Sequence, residues 1–379
     1  MLLEFGFKNF FSFKEGVSIS FELDNNCPPA ISHEKKFTTI LAVKGANASG
    51  KTQVLKGLSF LGYFCTKSFQ EKPDGSIGIM PFFNSKKPSE FYAKFMIGDT
   101  TYLYELSLTE EEVKKEVIYR TKGRKTKILE RKNNTLNFLI NELNPLNIIT
   151  LRKNVSIIST AHQYQLKELD DIYTFFNNIV SNVTFGGLSD KRPDIKQLSA
   201  LLHDNEPALN FVKEFIGECD VGVSDIKIIQ NKLEDGSEEY FPVFLHDVAG
   251  SEQLVTRHTE SSGTKMLFML LPLYQVILHS GGILVLDEFD MHLHPHILPK
   301  LLNFFEAPKT NKKDAQLLFT THNSEILNYL GKYRTYLTNK ENNSCFAYRL
   351  DEIPGDILRN DRPILPMYND GKIGGVPKI

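Results

Sequence analysis

Eight residues near one end of the chain, Gly45-Ala46-Asn47-Ala48-Ser49-Gly50-Lys51-Thr52, have the types and spacing needed to hold a phosphate. Gly45 and Gly50 allow the backbone to approach phosphoryl oxygens closely, and the N-terminus of a following helix adds free N–H groups for an anion. In a G-x-x-x-x-G-K-[ST] loop, Lys51 is expected on the β- and γ-phosphates of a nucleotide and the Thr52 hydroxyl on Mg2+. A second stretch, Gly282-Ile283-Leu284-Val285-Leu286-Asp287-Glu288, carries an apolar run into two carboxylates. Asp287 is expected to hold the magnesium through water, and Glu288 to orient or deprotonate an attacking water. A third stretch, Thr320-Thr321-His322, ends in an imidazole that can donate to a γ-phosphate or to that water.

These groups need strands and helices to bring them together. Thr38 to Val43 is apolar and β-branched and predicts a buried strand, followed after the loop by helical spacing at Val54, Leu55, Leu58 and Leu61. Ile283–Leu286 and Ala315–Thr320 predict two more buried strands. All three stretches then emerge at C-terminal strand edges, where ligands bind in an open α/β sheet. Alternation at Phe91, Ala93 and Phe95 and at Tyr102, Tyr104 and Leu106 predicts a β meander. From Asn134 to about Glu218 the spacing reads as helical, through Leu136, Phe138 and Leu139, then Ile172, Phe175 and Phe176, then Leu198, Leu201 and Leu202. Ile226 to Val248 reads as a hairpin turning at Glu234-Asp235-Gly236-Ser237.

Composition narrows the class. The 379 residues carry 44 Lys and Arg against 46 Asp and Glu, so the chain has no global basic character. No apolar run approaches the ~20 residues of a membrane span, and no signal-peptide pattern precedes the first strand. A cytoplasmic location without a membrane partner in the chain is therefore expected. Cys27, Cys65, Cys219 and Cys345 are scattered, which predicts free thiols. Val113 to Lys132 carries nine Lys or Arg, a run that can contact nucleic-acid backbone or an acidic partner, or form a solvated hairpin. His292, His294 and His296 are read as structural, because residues two apart on a helix point to different faces.

The set of motifs resembles the ABC-type ATPase head, in the branch shared by SMC-like repair proteins and overcoming-lysogenization-defect nucleases. Leu2 to Phe10, with its Lys8-Asn9-Phe10 turn, is similar to that branch's first strand. Asn47 and Ser49 match its phosphate loop, and Leu286 to Pro295 resembles its Walker B run continuing into Leu293-His294-Pro295. Tyr368 to Pro377 looks like the closing segment of defence-associated members, of the abortive-infection and PARIS-like kind. The resemblance implies an α/β fold: a P-loop ATPase head with a mixed antiparallel β layer and a compact helical insert. The resemblance covers the two ends, a split head (1–65 and 245–379); between them the patterning reads as a β-rich meander (66–133), a helical insert offering a partner surface (134–225) and a returning hairpin (226–248).

ATP and Mg2+ are the implied cofactors. Ser261, Ser262 and Gly263 resemble the signature motif that caps the γ-phosphate bound by an opposite subunit, although Thr264 and Lys265 depart from the family pattern. An ordinary helix cap is the other reading of those residues. Gln163, with Gln165 close by, is the candidate for the family's metal-touching glutamine. The resemblance further implies a homodimer or higher oligomer formed through the nucleotide. The leading expectation is a regulatory ATPase of a defence system that controls a separate nuclease or toxin. The alternative is a DNA-processing ATPase that clamps nucleic acid directly.

Overall fold

A computed structural model describes residues 1–184, 187–188, 195–220, 222–355, 357–360 and 362–376. Pro377, in the closing segment noted above, lies outside the described residues, as do 185–186, 189–194 and 221 within the expected helical insert.

The N-terminal half builds a seven-stranded antiparallel layer in the order β2-β1-β4-β5-β6-β7-β8. Its strands are β1 (Leu2–Lys8), β2 (Val17–Ser20), β4 (Ser89–Ile97), β5 (Thr100–Leu108), β6 (Val113–Lys122), β7 (Arg124–Lys132) and β8 (Thr135–Leu139). A six-stranded sheet runs in the order β18-β17-β3-β16-β15-β9. It comprises β3 (Ile40–Gly45), β9 (Ile179–Ser181), β15 (Ile283–Leu286), β16 (Gln316–Thr320), β17 (Thr335–Glu341) and β18 (Ser344–Arg349). All its pairs are parallel except β17 with β18. A three-stranded sheet, β12 (Val223–Lys232), β13 (Glu238–Val248) and β14 (Ser251–Thr256), and a short pair, β10 (Val183–Thr184) with β11 (Gly187–Leu188), complete the β structure among the described residues.

The helices are α1 (Pro29–Ser32), α2 (Lys51–Lys67), α3 (Ile157–Gln163), α4 (Asp170–Asn177), α5 (Ile195–His203), α6 (Glu206–Cys219), α7 (Ser262–Ser280), α8 (Leu298–Glu306), α9 (Ile326–Leu330) and α10 (Leu365–Asn369).

Because successive strand residues face opposite ways, the apolar run of β3 feeds two cores. Leu41 and Val43 join Val285 and Leu318 in a core that also holds α2 (Val54, Leu55, Leu58, Leu61) and Phe5, Phe7 and Phe91 of the antiparallel layer. Ile40 and Ala42 join Leu284, Leu286, Leu317 and Phe319 in a second core closed by α6, α7 and α8. The six-stranded sheet is thus covered on both faces, which is why its strands read as continuous apolar runs. Phe7, Phe10, Phe13 and Phe91 pack edge to face or tilted at centroid distances of 5.0–6.2 Å. Gly57 of α2 admits Phe7, since a Cβ there would lie 2.4 Å from its ring.

The region expected to form one helical lobe is divided. Leu136 to Leu139 belong to strand β8, not to a helix. The helices α3 and α4 pack on α2, whereas α5 and α6 pack against α7 and the three-stranded sheet. Between the two pairs, β9 enters the six-stranded sheet beside β15. A three-residue strand is too short for periodicity to reveal it. The hairpin at 226–248 forms as β12 and β13, extended by β14.

One buried ion pair fastens the antiparallel layer to α3. Glu116 and Arg131 lie 3.5 Å apart and are both sealed from solvent. Glu116 accepts from the Ser156 hydroxyl (2.7 Å), the Ile157 N–H (3.0 Å) and the Tyr104 hydroxyl (3.0 Å). Arg131 donates to the carbonyls of Asn133, Arg152 and Val155. Every strong partner is therefore satisfied, the condition for a buried charge pair to persist.

Candidate functional site

The central strand β3 ends at Gly45, and the loop to α2 wraps the C-terminal edge of the sheet. Gly50, the N-cap of α2, has φ +102°. A side chain there would be strained, and its Cβ would also lie 2.9 Å from the Phe13 ring. The loop is pinned from the side by Ser49, whose hydroxyl is 2.7 Å from that of Thr338 on β17. Asn47 is exposed at the loop's crest. Lys51 Nζ donates to the carbonyls of Gly45 and Ala46, each at 3.0 Å. Burial lowers the pKa of this ammonium, while Asp287 and then Glu288 oppose the shift.

The strand register puts Asp287 beside Thr320, because Leu286 pairs with Phe319. Asp287 Oδ2 accepts from the Thr52 hydroxyl at 2.7 Å, and Oδ1 accepts from the Thr320 hydroxyl. A hydroxyl and a carboxylate held this close form a hard-oxygen donor set, which fits Mg2+ and not a softer metal. Glu288 has φ +52°, a left-handed conformation costing a non-glycine residue about 1–2 kcal/mol. Its N–H donates to Thr320 Oγ1 at 2.8 Å, and its Oε1 lies 3.9 Å from His322 Nε2. The His322 peptide is held on both sides. Its N–H donates to Asp290 (3.1 Å to Oδ2), and its carbonyl accepts from Lys44 Nζ (2.9 Å).

The structure therefore gathers Gly45, Ser49, Gly50, Lys51, Thr52, Asp287, Glu288 and His322 at one sheet edge. Ser261 instead caps α7, accepting from the Thr264 N–H at 3.1 Å, and Ser261 and Ser262 are exposed. That cap is tied to Asp220 through Thr264 and to Glu260, and Gly263 lies against the carbonyl of His292. It sits beside the turn that follows Glu288, not in the loop that holds Lys51.

Gln163 does not join the site. It is exposed at the end of α3, and Ser159 of that helix bonds to Thr66 and Phe69 at the far end of α2. Lys51 begins that helix, so Gln163 and its neighbour Gln165 are separated from the phosphate loop by about 20 Å of α-helix. Asn182 takes the place beside Asp287. It follows β9, the strand adjacent to β15, and holds Asp287 by both main-chain groups: Asp287 N–H to Oδ1 at 2.8 Å, and Nδ2 to the Asp287 carbonyl at 3.0 Å. Only sheet order identifies this residue.

His292, His294 and His296 lie in a turn and a 3-10 segment, not on a helix. In the basic run, Lys114, Lys115, Lys127, Arg131 and Lys132 each have an acidic partner within 3.5 Å. Arg120, Lys122, Arg124 and Lys125 remain around the β6–β7 turn, with Lys125 4.2 Å from the centroid of the Tyr119 ring. Among the described residues no helix is long and apolar enough to cross a membrane.

A family model described as "AAA domain, putative AbiEii toxin, Type IV TA system" matches residues 40–328. Among solved structures, the chain is similar to the SMC head domain from Thermotoga maritima (16% identity, 92% of this chain and 98% of that one, TM-score 0.44). It is also similar to an SMC head bound to the C-winged helix domain of ScpA (14% identity, 92% and 96% covered, TM-score 0.48). Among curated proteins none matches.

Proposed function

The chain belongs to this AAA domain family, and from that premise we propose that it is a Mg2+-dependent ATPase in which ATP is sandwiched between two copies, serving as a cytoplasmic sensor and scaffold that regulates a separate effector in anti-phage defence. The observation that carries the ATPase reading is the convergence of Lys51, Thr52, Asp287, Glu288 and His322 at a single sheet edge.

In this reading Lys51 exchanges the Gly45 and Ala46 carbonyls for phosphate oxygens, and the first N–H groups of α2 face the same anion. Thr52 and Asp287 would hold Mg2+, which would supply charge neutralisation to the nucleotide phosphates. Asn182 and Thr320 fix the Asp287 carboxylate, so its oxygens stay aimed. Glu288 accepts a proton from water as the water oxygen bonds to the γ-phosphorus. The bond from that phosphorus to the β–γ bridging oxygen breaks, leaving ADP and phosphate. His322 donates to a γ-phosphate oxygen or to the same water. The exposed Ser261 and Ser262 at the N-terminus of α7 are presented to a γ-phosphate on the facing copy.

Two variants test this. Lys51→Ala should lose ATP binding in a titration with a fluorescent nucleotide. Glu288→Gln should bind ATP but hydrolyse it at least about a hundredfold more slowly, and its mass in solution should double with Mg-ATP. Hydrolysis by Glu288→Gln at the wild-type rate would remove that residue from the reaction. An effector protein co-purifying with the ATPase supports the scaffold role.

The cationic turn at Arg120, Lys122, Arg124 and Lys125 favours a second reading, in which the head clamps nucleic acid. DNA-stimulated hydrolysis that falls steeply between 50 and 200 mM salt supports it.

A further inference from the structure

We infer that Lys44 is a positioning residue for the hydrolytic site, holding the His322 peptide so that the imidazole stays aimed at Glu288. The inference rests on the ATPase reading above. Lys44 immediately precedes the phosphate loop on β3 and is only 3% exposed. Its ammonium donates to the His322 carbonyl at 2.9 Å and lies 5.1 Å from the centroid of the Tyr368 ring. A buried ammonium is costly without compensation, and here that compensation is a carbonyl, a ring face and the longer-range charge of Asp290. An apolar side chain would fill the position at lower cost, so the geometry identifies what the charge does there.

Asp290 completes the arrangement. Its carboxylate accepts from the N–H groups of His322 (3.1 Å) and Asn323 (2.8 Å). The peptide unit that joins His322 to Asn323 is thus gripped by side chains of opposite charge, Asp290 on the Asn323 N–H and Lys44 on the His322 carbonyl. Freed from either, the loop can rotate and the imidazole leaves its 3.9 Å approach to Glu288. Tyr368, the ring over Lys44, donates through its hydroxyl to the Gly375 carbonyl, and the Gly375 N–H donates to Asn339. The glycine-rich closing segment is therefore built onto the same lysine.

The groups facing the ammonium are Asp290, Lys51 of α2, the Tyr368 ring of α10 and the His322 carbonyl. Burial is the main cause that brings its pKa down to about 8, a net value in which Asp290 opposes the shift and Lys51 adds to it. The grip should therefore weaken as pH rises through about 8.

The test combines Lys44→Met with Lys44→Gln, which keeps a donor but no charge. Amide exchange without nucleotide should speed up about tenfold at His322 and Asn323 in Lys44→Met, with β16 unchanged. In steady state, kcat should fall about tenfold while KM for ATP stays within twofold. The wild-type decline in kcat above pH 8 should disappear. Lys44→Gln should fall between the two in exchange and stay flat with pH. Unchanged exchange at 322–323, or an alkaline decline that survives in both variants and so belongs to Lys51, overturns the proposal. If Lys44→Met also loosens β16, Lys44→Gln decides by the same criteria. Wild-type protein that binds no ATP overturns the ATPase reading, while the exchange result still judges the grip on His322.

Discussion

Thr320 shows how much of this site depends on a single hydroxyl. It donates to Asp287 and accepts from the Glu288 N–H, so one side chain sets both the carboxylate proposed to hold Mg2+ and the backbone of the proposed general base. Thr320→Val keeps the shape and removes both bonds. It should lower kcat by about ten- to a hundredfold with folding retained, as steady-state assays and circular dichroism can establish. The buried Lys44 makes a separate statement about pH. Its pKa is near 10.5 when unfolded and about 8 when folded. Between those values the unfolded chain binds more protons, so this group's contribution makes stability rise with pH from about 8 to 10.5. The difference in urea midpoint between wild type and Lys44→Met should shrink or change in favour of wild type over that range. Lys51 is legible from sequence through its glycine-bounded loop, and Asp287, Glu288 and His322 because each lies where a strong apolar run meets groups able to do chemistry. Asn182, Asp290, Thr320 and Lys44 are not, because their roles come from neighbours across the sheet. Asn182 and Asp287 touch only because β9 lies beside β15.

Secondary elements divide the same way. The strands β3, β15 and β16 are readable because both faces are buried, which makes each an unbroken apolar run. The expected helix at Leu136–Leu139 fails because Leu-x-Phe-Leu fits a short edge strand as well as a helical turn. The glutamine assignment fails for a related reason. Nothing in the local pattern shows that α3 packs at the far end of α2, a position fixed by the buried Glu116–Arg131 pair and the caps it supplies. Arg131→Met strands a sealed carboxylate, so it should destabilise the protein by about 3–5 kcal/mol, read from denaturant midpoints. Glu116→Gln should be milder, since an amide can still serve Tyr104 and Ser156 as an acceptor. Neither change touches the phosphate loop, so ATP affinity of the folded fraction should remain.

At the scale of the whole molecule, assembly is the main expectation. Ser261 and Ser262 project from the N-terminus of α7 while the cap beneath them is locked to Asp220 and Glu260. Ser262→Arg should leave ATP binding by the single chain intact and block the ATP-dependent doubling of mass expected for Glu288→Gln, as light scattering can show. A dimer that persists would move the interface elsewhere. Sheet order also bears on synthesis. The phosphate-loop strand β3 has no partner among the strands nearest it in sequence; its neighbours are β16 and β17. The antiparallel layer, by contrast, pairs largely with its own sequence neighbours. On a ribosome adding roughly 5–20 residues per second, β1 and β2 can pair at once, while β3 waits tens of seconds for Gln316–Glu341 to emerge. During that interval the nascent chain exposes an apolar strand and cannot use nucleotide to stabilise itself. The sheet edge that gathers Lys51, Asp287 and His322 is thus among the last parts of the molecule to exist.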